Sequence, residues 1–301
     1  MIRVKGILFI VSGATMWGAT GPILEWVLTN SDLTIPFILS IRLLFAGCGL
    51  LVYLKIKGTR LKPIWRQPYW IKRLFIFALF GMVGVQYSFF AAIEASNAVV
   101  ATLLQFLAPI FVVIFVSWSL KKWPPKYQVF GIIGTLLGLL LLLTNGSLTN
   151  LLLSPTALAW GLAIGLSFAF YTLYPGPLMK EWGVLFVVGW SMLIGGVLLG
   201  ILNRIWLSDE WSLLLDWKLT AILLSVTIIG TLAFVLFLSS MKYISAIETS
   251  ILSSMEPLTA MVISVIWLQQ MLGNWQLVGA FVMLCCVTWL SIAGDQNKKE
   301  V

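Results

Sequence analysis

The sequence predicts an all-α membrane protein of ten transmembrane helices, built as two inverted five-helix repeats (1–147 and 148–301) with both termini cytoplasmic. Three observations carry this prediction. The first is composition: 60% of the 301 residues are hydrophobic and 10% are charged, where a soluble domain of ordinary composition carries about 25% charged residues. Too few polar groups are present to cover a water-facing surface, and the mean hydropathy of +1.01 points to lipid as the solvent. The second is the placement of the basic residues, and the third is a repeat within the chain.

A bilayer core roughly 30 Å thick asks for about 20 mostly apolar residues per helix. Apolar runs bounded by charges, prolines or polar clusters give spans at 6–28, 35–54, 73–93, 98–119, 127–145, 155–174, 184–205, 219–241, 246–267 and 275–293. Arg3 and Lys5 ahead of the first run would suit a signal peptide, but the run continues to Leu28 through Pro22, so it reads as a retained first span. The eighth and ninth spans are divided only by Lys242–Ser245. Connections are short, apart from a basic loop at 55–72 and a Trp-rich, acidic segment at 206–218.

With a cytoplasmic N-terminus, sixteen Lys and Arg residues fall on the inner side and only Arg204 and Lys218 on the outer, leaving Arg42 within a helix. That asymmetry follows the positive-inside rule, and an even number of spans returns Lys298 and Lys299 to the inner side. Trp26, Trp206, Trp211, Trp217, Trp267 and Trp275 fall at the outer boundary, and Trp65, Trp70, Trp123 and Trp182 at the inner, as interfacial belts. The net charge of +8 is therefore a topology signal, with no basic stripe suited to nucleic acid. Cys48, Cys285 and Cys286 all lie in apolar segments, read as small buried hydrophobes. The chain has no histidine, which removes His-paired nucleophiles, His metal sites and His proton relays. Neither a metal nor any other cofactor is predicted, and the scattered carboxylates argue against an intramembrane enzyme.

Laid on itself with an offset of about 148–153 residues, the chain matches in order. Pro22 falls on Pro175, the segment Pro36–Gly47 on Leu185–Gly196, Asn97-Ala98 on Ser245-Ala246, Pro109 on Pro257, and Lys126–Gly131 on Asn274–Gly279. Five spans per half is odd, so the second half enters from the opposite side. Inverted repeats are the layout of secondary transporters, whose substrate sites lie near the bilayer midplane between the halves.

The same residues resemble the EamA family, the ten-helix branch of the drug/metabolite transporter superfamily. The resemblance rests on Trp17-Gly18, Arg42, the turn Tyr243-x-Ser245-Ala246, the paired Pro109 and Pro257, and Gln276-x-x-Gly279, and covers essentially the whole chain. The first-half turn, Glu94-Ala-Ser-Asn97, departs from the aromatic-x-Ser-Ala form. The resemblance implies ATP-independent export or exchange of a small metabolite, often an amino acid. No Gly-x-x-x-x-Gly-Lys-Ser/Thr phosphate loop is present to supply direct ATP drive. The rival reading is a non-transporting assembly or sensor protein.

Polar groups at membrane depth are costly and mark function. Glu256, halfway along the ninth span and followed by Pro257, shares a helix face with Thr249 and Ser253; this face suits a substrate ammonium or a coupling proton. Thr102 and Gln105 align with Ser250 and Ser253, so two polar faces are expected to meet at the centre. Arg42 and Glu25, toward the outer ends of adjacent helices, suit an ion pair, a gate or an anion contact. Trp17, Gln86, Tyr87, Tyr171 and Thr172 are candidates to line a cavity for a small-molecule substrate. Pro22, Pro109, Pro175 and Pro257 are expected to kink their helices. Gly134-x-x-x-Gly138, Gly161-x-x-x-Gly165 and Gly196-x-x-x-Gly200 permit close packing; one chain suffices for a pathway, and the same motifs offer a dimer contact.

Overall fold

The computed structural model describes residues 2–147, 154–269, 273–279, 281–282 and 285–286. Among these there are helices and no strands, as lipid demands of a backbone that must satisfy its own hydrogen bonds. In chain order they are α1 (Ile2–Asn30), α2 (Ile35–Ile56), α3 (Pro68–Ile76), a π-helical segment (Phe77–Val83), α4 (Gly84–Ala95), α5 (Ala98–Leu104), a 3₁₀ turn (Gln105–Leu107), α6 (Ala108–Leu120), α7 (Lys126–Thr144), α8 (Pro155–Leu173), a short α9 (Gly176–Trp182), α10 (Val184–Leu202), α11 (Trp217–Ser240), α12 (Ala246–Leu252) and α13 (Met255–Ile266). Six stretches are each long and apolar enough to cross a bilayer: 3–30, 35–56, 68–95, 155–173, 184–202 and 217–240. Shorter apolar helices accompany them, at 110–120, 126–141 and 255–266. The expected span at 275–293 and the basic tail at Lys298 and Lys299 lie largely outside the described residues.

Helices α1 and α11 pack along each other, as do α2 and α10, and α4 with the π-helical segment before it packs along α8. The α2–α10 contact is reciprocal. A Cβ on Gly47 would press on Leu193, 2.5 Å from its backbone nitrogen, and a Cβ on Gly196 would lie 2.7 Å from the backbone nitrogen of Leu44. Each glycine stands in the same relation to the other helix, so the backbones meet without side chains between them.

Two faces of the bundle are distinguished by their contacts. At one, Arg3 pairs with Glu248 at 3.0 Å and Lys5 lies 5.4 Å from the ring of Tyr243, joining the start of α1 to the turn before α12. This basic face also carries Arg73, stacked 5.5 Å from the ring of Tyr174. At the other, Trp26 stacks on Trp267 with ring centroids 6.4 Å apart. The acidic segment, folded as 3₁₀ helices at Ile205–Leu207 and Asp209–Leu215, closes over the start of α2. Glu210 accepts hydrogen bonds from the Thr34 amide (2.6 Å) and hydroxyl (3.0 Å), while Trp211 packs on Phe37. Glu210 thus supplies from a distance the cap that Thr34 does not, and Glu210→Ala is expected to cost about 1 kcal/mol, read as a lowered midpoint of thermal unfolding in detergent.

Two of the residue pairs aligned in the sequence resemble each other in local structure. Asn97 Oδ1 accepts from the Val100 amide at 2.8 Å to cap α5, and Ser245 Oγ accepts from the Glu248 amide at 3.1 Å to cap α12. Glu248 Oε2 returns the favour to the Ser245 amide at 2.8 Å, completing a capping box. Pro109 and Pro257 each follow a break: the 3₁₀ turn at Gln105–Leu107 in one column, and the interruption between Leu252 and Met255 in the other. A proline has no N–H for the carbonyl four residues back, and the Ser253 carbonyl accepts instead from the Glu256 amide at 2.9 Å. Pro22, in contrast, lies within an uninterrupted α1, and Pro175 stands at the junction of α8 and α9 instead of kinking a span.

One expectation is corrected. Cys48 and Cys285 are exposed and Cys286 is half-buried. In an apolar solvent a small thiol pays little to face outward, so burial does not follow from an apolar context as it does in water.

Candidate functional site

The two broken columns meet at the centre. Gln105, in the first break, donates from Nε2 to Glu256 Oε2 at 2.6 Å, and both side chains are buried. Glu256 lies in the first turn of α13, one residue ahead of Pro257, and is only 2% exposed. Helix α1 crosses against this turn, because Gly18 lets the backbones touch: a Cβ there would collide with the Glu256 carbonyl and lie 2.7 Å from Cβ of Thr259.

Around the pair lies a small cavity of ≈ 30 Å³, lined on its polar side by Arg42, Gln86, Gln105, Glu256 and Thr20. Trp17, Phe89, Phe90, Phe168 and Phe234 form most of its apolar wall. Arg42 is 7% exposed. Its guanidinium lies 5.7 Å from the Phe90 ring centroid and against Gly230, where an added Cβ would collide with Nη2. Gln86 donates weakly to the Met82 carbonyl at 3.4 Å, while its Oε1 is buried with no hydrogen-bond partner.

On the side of the basic face, rings close the cavity. Trp17 meets Phe234 at 4.6 Å, Phe237 at 5.2 Å, Phe168 at 5.9 Å and Tyr171 at 6.4 Å between centroids. Tyr171 stacks on Phe77 of the π-helical segment at 5.6 Å and its hydroxyl donates to the Phe234 carbonyl at 3.4 Å. Beyond the rings an open cavity of ≈ 660 Å³ begins at Thr172, bounded by Lys180, Lys242 and Ser245. A single step along α8, from Tyr171 to Thr172, therefore passes from the aromatic layer to the second cavity.

Of the residues singled out in the sequence, Trp17, Arg42, Gln86, Gln105 and Glu256 line the central cavity together. Tyr171 lies in the aromatic layer beneath it, and Thr172 lines the second cavity. The others sit outside the central lining. Thr102 bonds its own Val99 carbonyl at 2.8 Å, Ser253 is buried beside the break, and Tyr87 packs on Trp160 at 5.9 Å. The expected pairing of Arg42 with Glu25 is not formed: among the described residues no ion pair joins them. Glu25 Oε2 instead accepts from the Ala98 amide at 2.9 Å, at the positive end of α5. Sequence reasoning missed Phe89, Phe90, Phe168, Phe234 and Gly230.

A polytopic helical bundle with broken central helices and a buried polar cavity is the architecture of a membrane transporter, and the comparisons agree. The sequence profile of the EamA-like transporter family matches residues 4–144 and again 155–292. The chain belongs to the EamA-like transporter family. It is similar to the uncharacterized inner membrane transporter YicL of Salmonella typhimurium, 33% identical over 96% of this chain and 95% of that protein. It is also similar to the uncharacterized transporter YwfM of Bacillus subtilis, 26% identical over 97% of this chain and 95% of that one. Protein PecM of Dickeya dadantii is 28% identical over 82% of this chain and 81% of its own. A solved crystal structure shares the fold with a TM-score of 0.68, covering 96% of this chain and 98% of its own at 14% identity.

Proposed function

We propose that this protein is a secondary transporter that exports a small organic metabolite, an amino acid or related solute, across the cytoplasmic membrane by alternating access at the central cavity. The observation that carries this reading is the Gln105–Glu256 hydrogen bond, which joins the two broken columns inside a polar cavity walled by aromatic rings. Broken helices around a buried polar pocket are how transporters present polar groups and backbone to a solute at membrane depth.

The reading takes the chain as ten spans in two inverted repeats, 1–147 and 148–301, with both termini cytoplasmic. The two profile matches support it, as do the reciprocal Gly47 and Gly196 contacts and the equivalent caps at Asn97 and Ser245. The basic face is then cytoplasmic, and the rings around Trp17 are the closed inner gate between the cavity and a cytoplasmic vestibule at Lys180 and Lys242. Glu256 is the group that exchanges a proton with the coupling gradient, and one chain contains the whole pathway.

Proteoliposomes loaded with the twenty amino acids test this reading. Mass spectrometry of the external medium should show faster release of a subset of them than from protein-free vesicles, and an imposed pH gradient should change the rate. Release equal to that of empty vesicles for every solute would instead support an assembly or sensor role.

A further inference from the structure

We propose that Arg42, backed by Gly230 and Phe90, is the seat for a carboxylate on the transported solute, so that the substrates are small monocarboxylates and amines lacking a carboxylate are excluded. This rests on the transport reading and adds the chemical class to it.

The central cavity contains two polar groups that the protein does not satisfy. Arg42 makes no hydrogen bond or ion pair among the described residues, although it is 7% exposed. Gln86 Oε1 is buried without a partner in the same lining. A guanidinium removed from water is costly unless an anion or several acceptors meet it. Glu256 shares the cavity but stands beyond ion-pair distance, with one carboxylate oxygen already accepting from Gln105. The Phe90 ring, 5.7 Å away, offers its face to the cation and leaves the hydrogen-bonding edge unused.

Gly230 is where the guanidinium rests on the backbone of α11. Any Cβ there would collide with Nη2 and stand 3.1 Å from Cζ, so α11 presents bare backbone for the planar group to lie against. A planar guanidinium fork matches a carboxylate with two parallel hydrogen bonds. The orphan Gln86 oxygen accepts a donor elsewhere on the same solute, such as an ammonium or a hydroxyl. One cation facing a cavity that also holds a carboxylic group favours a monoanion over a phosphate ester, which would bring a second negative charge toward Glu256.

Proteoliposomes loaded with the twenty amino acids and with their decarboxylated amines separate the possibilities, read by mass spectrometry as release rates. The wild-type protein should release carboxylate-bearing solutes and retain the amines. Arg42→Gln should lower carboxylate release at least tenfold, Arg42→Lys less severely, and Arg66→Gln, at an exposed position, not at all. Gly230→Ala keeps the charge and displaces it, and should raise KM for the best carboxylate at least threefold with folding verified by thermal unfolding. Amines released as fast as amino acids, or carboxylate flux unchanged in Arg42→Gln and Gly230→Ala, would overturn the carboxylate seat while leaving transport intact. Release of no solute at all would overturn both readings.

Discussion

Glu256→Gln is expected to reduce pH-gradient-driven flux in proteoliposomes at least tenfold while leaving the protein folded. The substitution is isosteric, and the new amide oxygen still accepts from Gln105 Nε2, which now sits 2.6 Å from Glu256 Oε2. What is lost is the ability to carry a charge or a proton in a group that is 2% exposed. A hydrogen bond to a charged group contributes about 1.5–3 kcal/mol against about 1 for a neutral pair, so stability falls by about 1–2 kcal/mol at most. The functional loss is larger because proton exchange cannot be done by an amide at all. Intact coupling and intact flux in the variant would remove Glu256 from the mechanism, and a variant that keeps flux but ignores the pH gradient would restrict its role to coupling.

What was legible in the sequence follows from which physical contrast each feature leaves there. Helices in lipid announce themselves by apolar length, so the spans at 35–54, 155–174 and 219–241 reappear as α2, α8 and α11 within a few residues. Caps and breaks are written in polar and imino residues that stand out in an apolar run. Asn97 and Ser245 therefore marked helix starts, and Pro109 and Pro257 marked the breaks that bring Gln105 to Glu256. Rotation of a helix about its axis is a different matter. In water a helix shows its buried face by alternation, but in lipid both faces are apolar and the pattern loses its contrast. Gln86 and Tyr87 are adjacent and so point about 100° apart; Gln86 reaches the cavity and Tyr87 packs on Trp160. The same ambiguity allowed Arg42 to be set against Glu25, when its helix turns it inward to Phe90 and Gly230. Phe89, Phe90, Phe168 and Phe234 were invisible because a phenylalanine facing a cavity and one facing lipid read alike.

The aromatic layer gives the second large effect. Trp17→Ala is expected to destabilise the protein by about 3–5 kcal/mol, the range for deleting a buried Trp or Phe, and to open the cavity toward the basic face. Trp17 touches four rings, those of Phe168, Tyr171, Phe234 and Phe237, at 4.6 to 6.4 Å between centroids, and each edge or tilted contact adds to the loss of packing. The surrounding rings cannot collapse fully into the void, since Tyr171 is fixed by its stack on Phe77 and its bond to the Phe234 carbonyl. Trp17 and Thr20 line the central cavity, and Thr172 lines the second one. In a cysteine-free background carrying Thr20→Cys, a membrane-impermeant thiol reagent added at the cytoplasmic face should label the Trp17→Ala protein at least tenfold faster than its Trp17 parent. Trp17→Phe should restore most of the protection and most of the thermal stability. Equal labelling with and without the indole would mean that the rings are packing alone and that the seal lies elsewhere; a lowered unfolding midpoint together with faster labelling would assign both roles to one side chain.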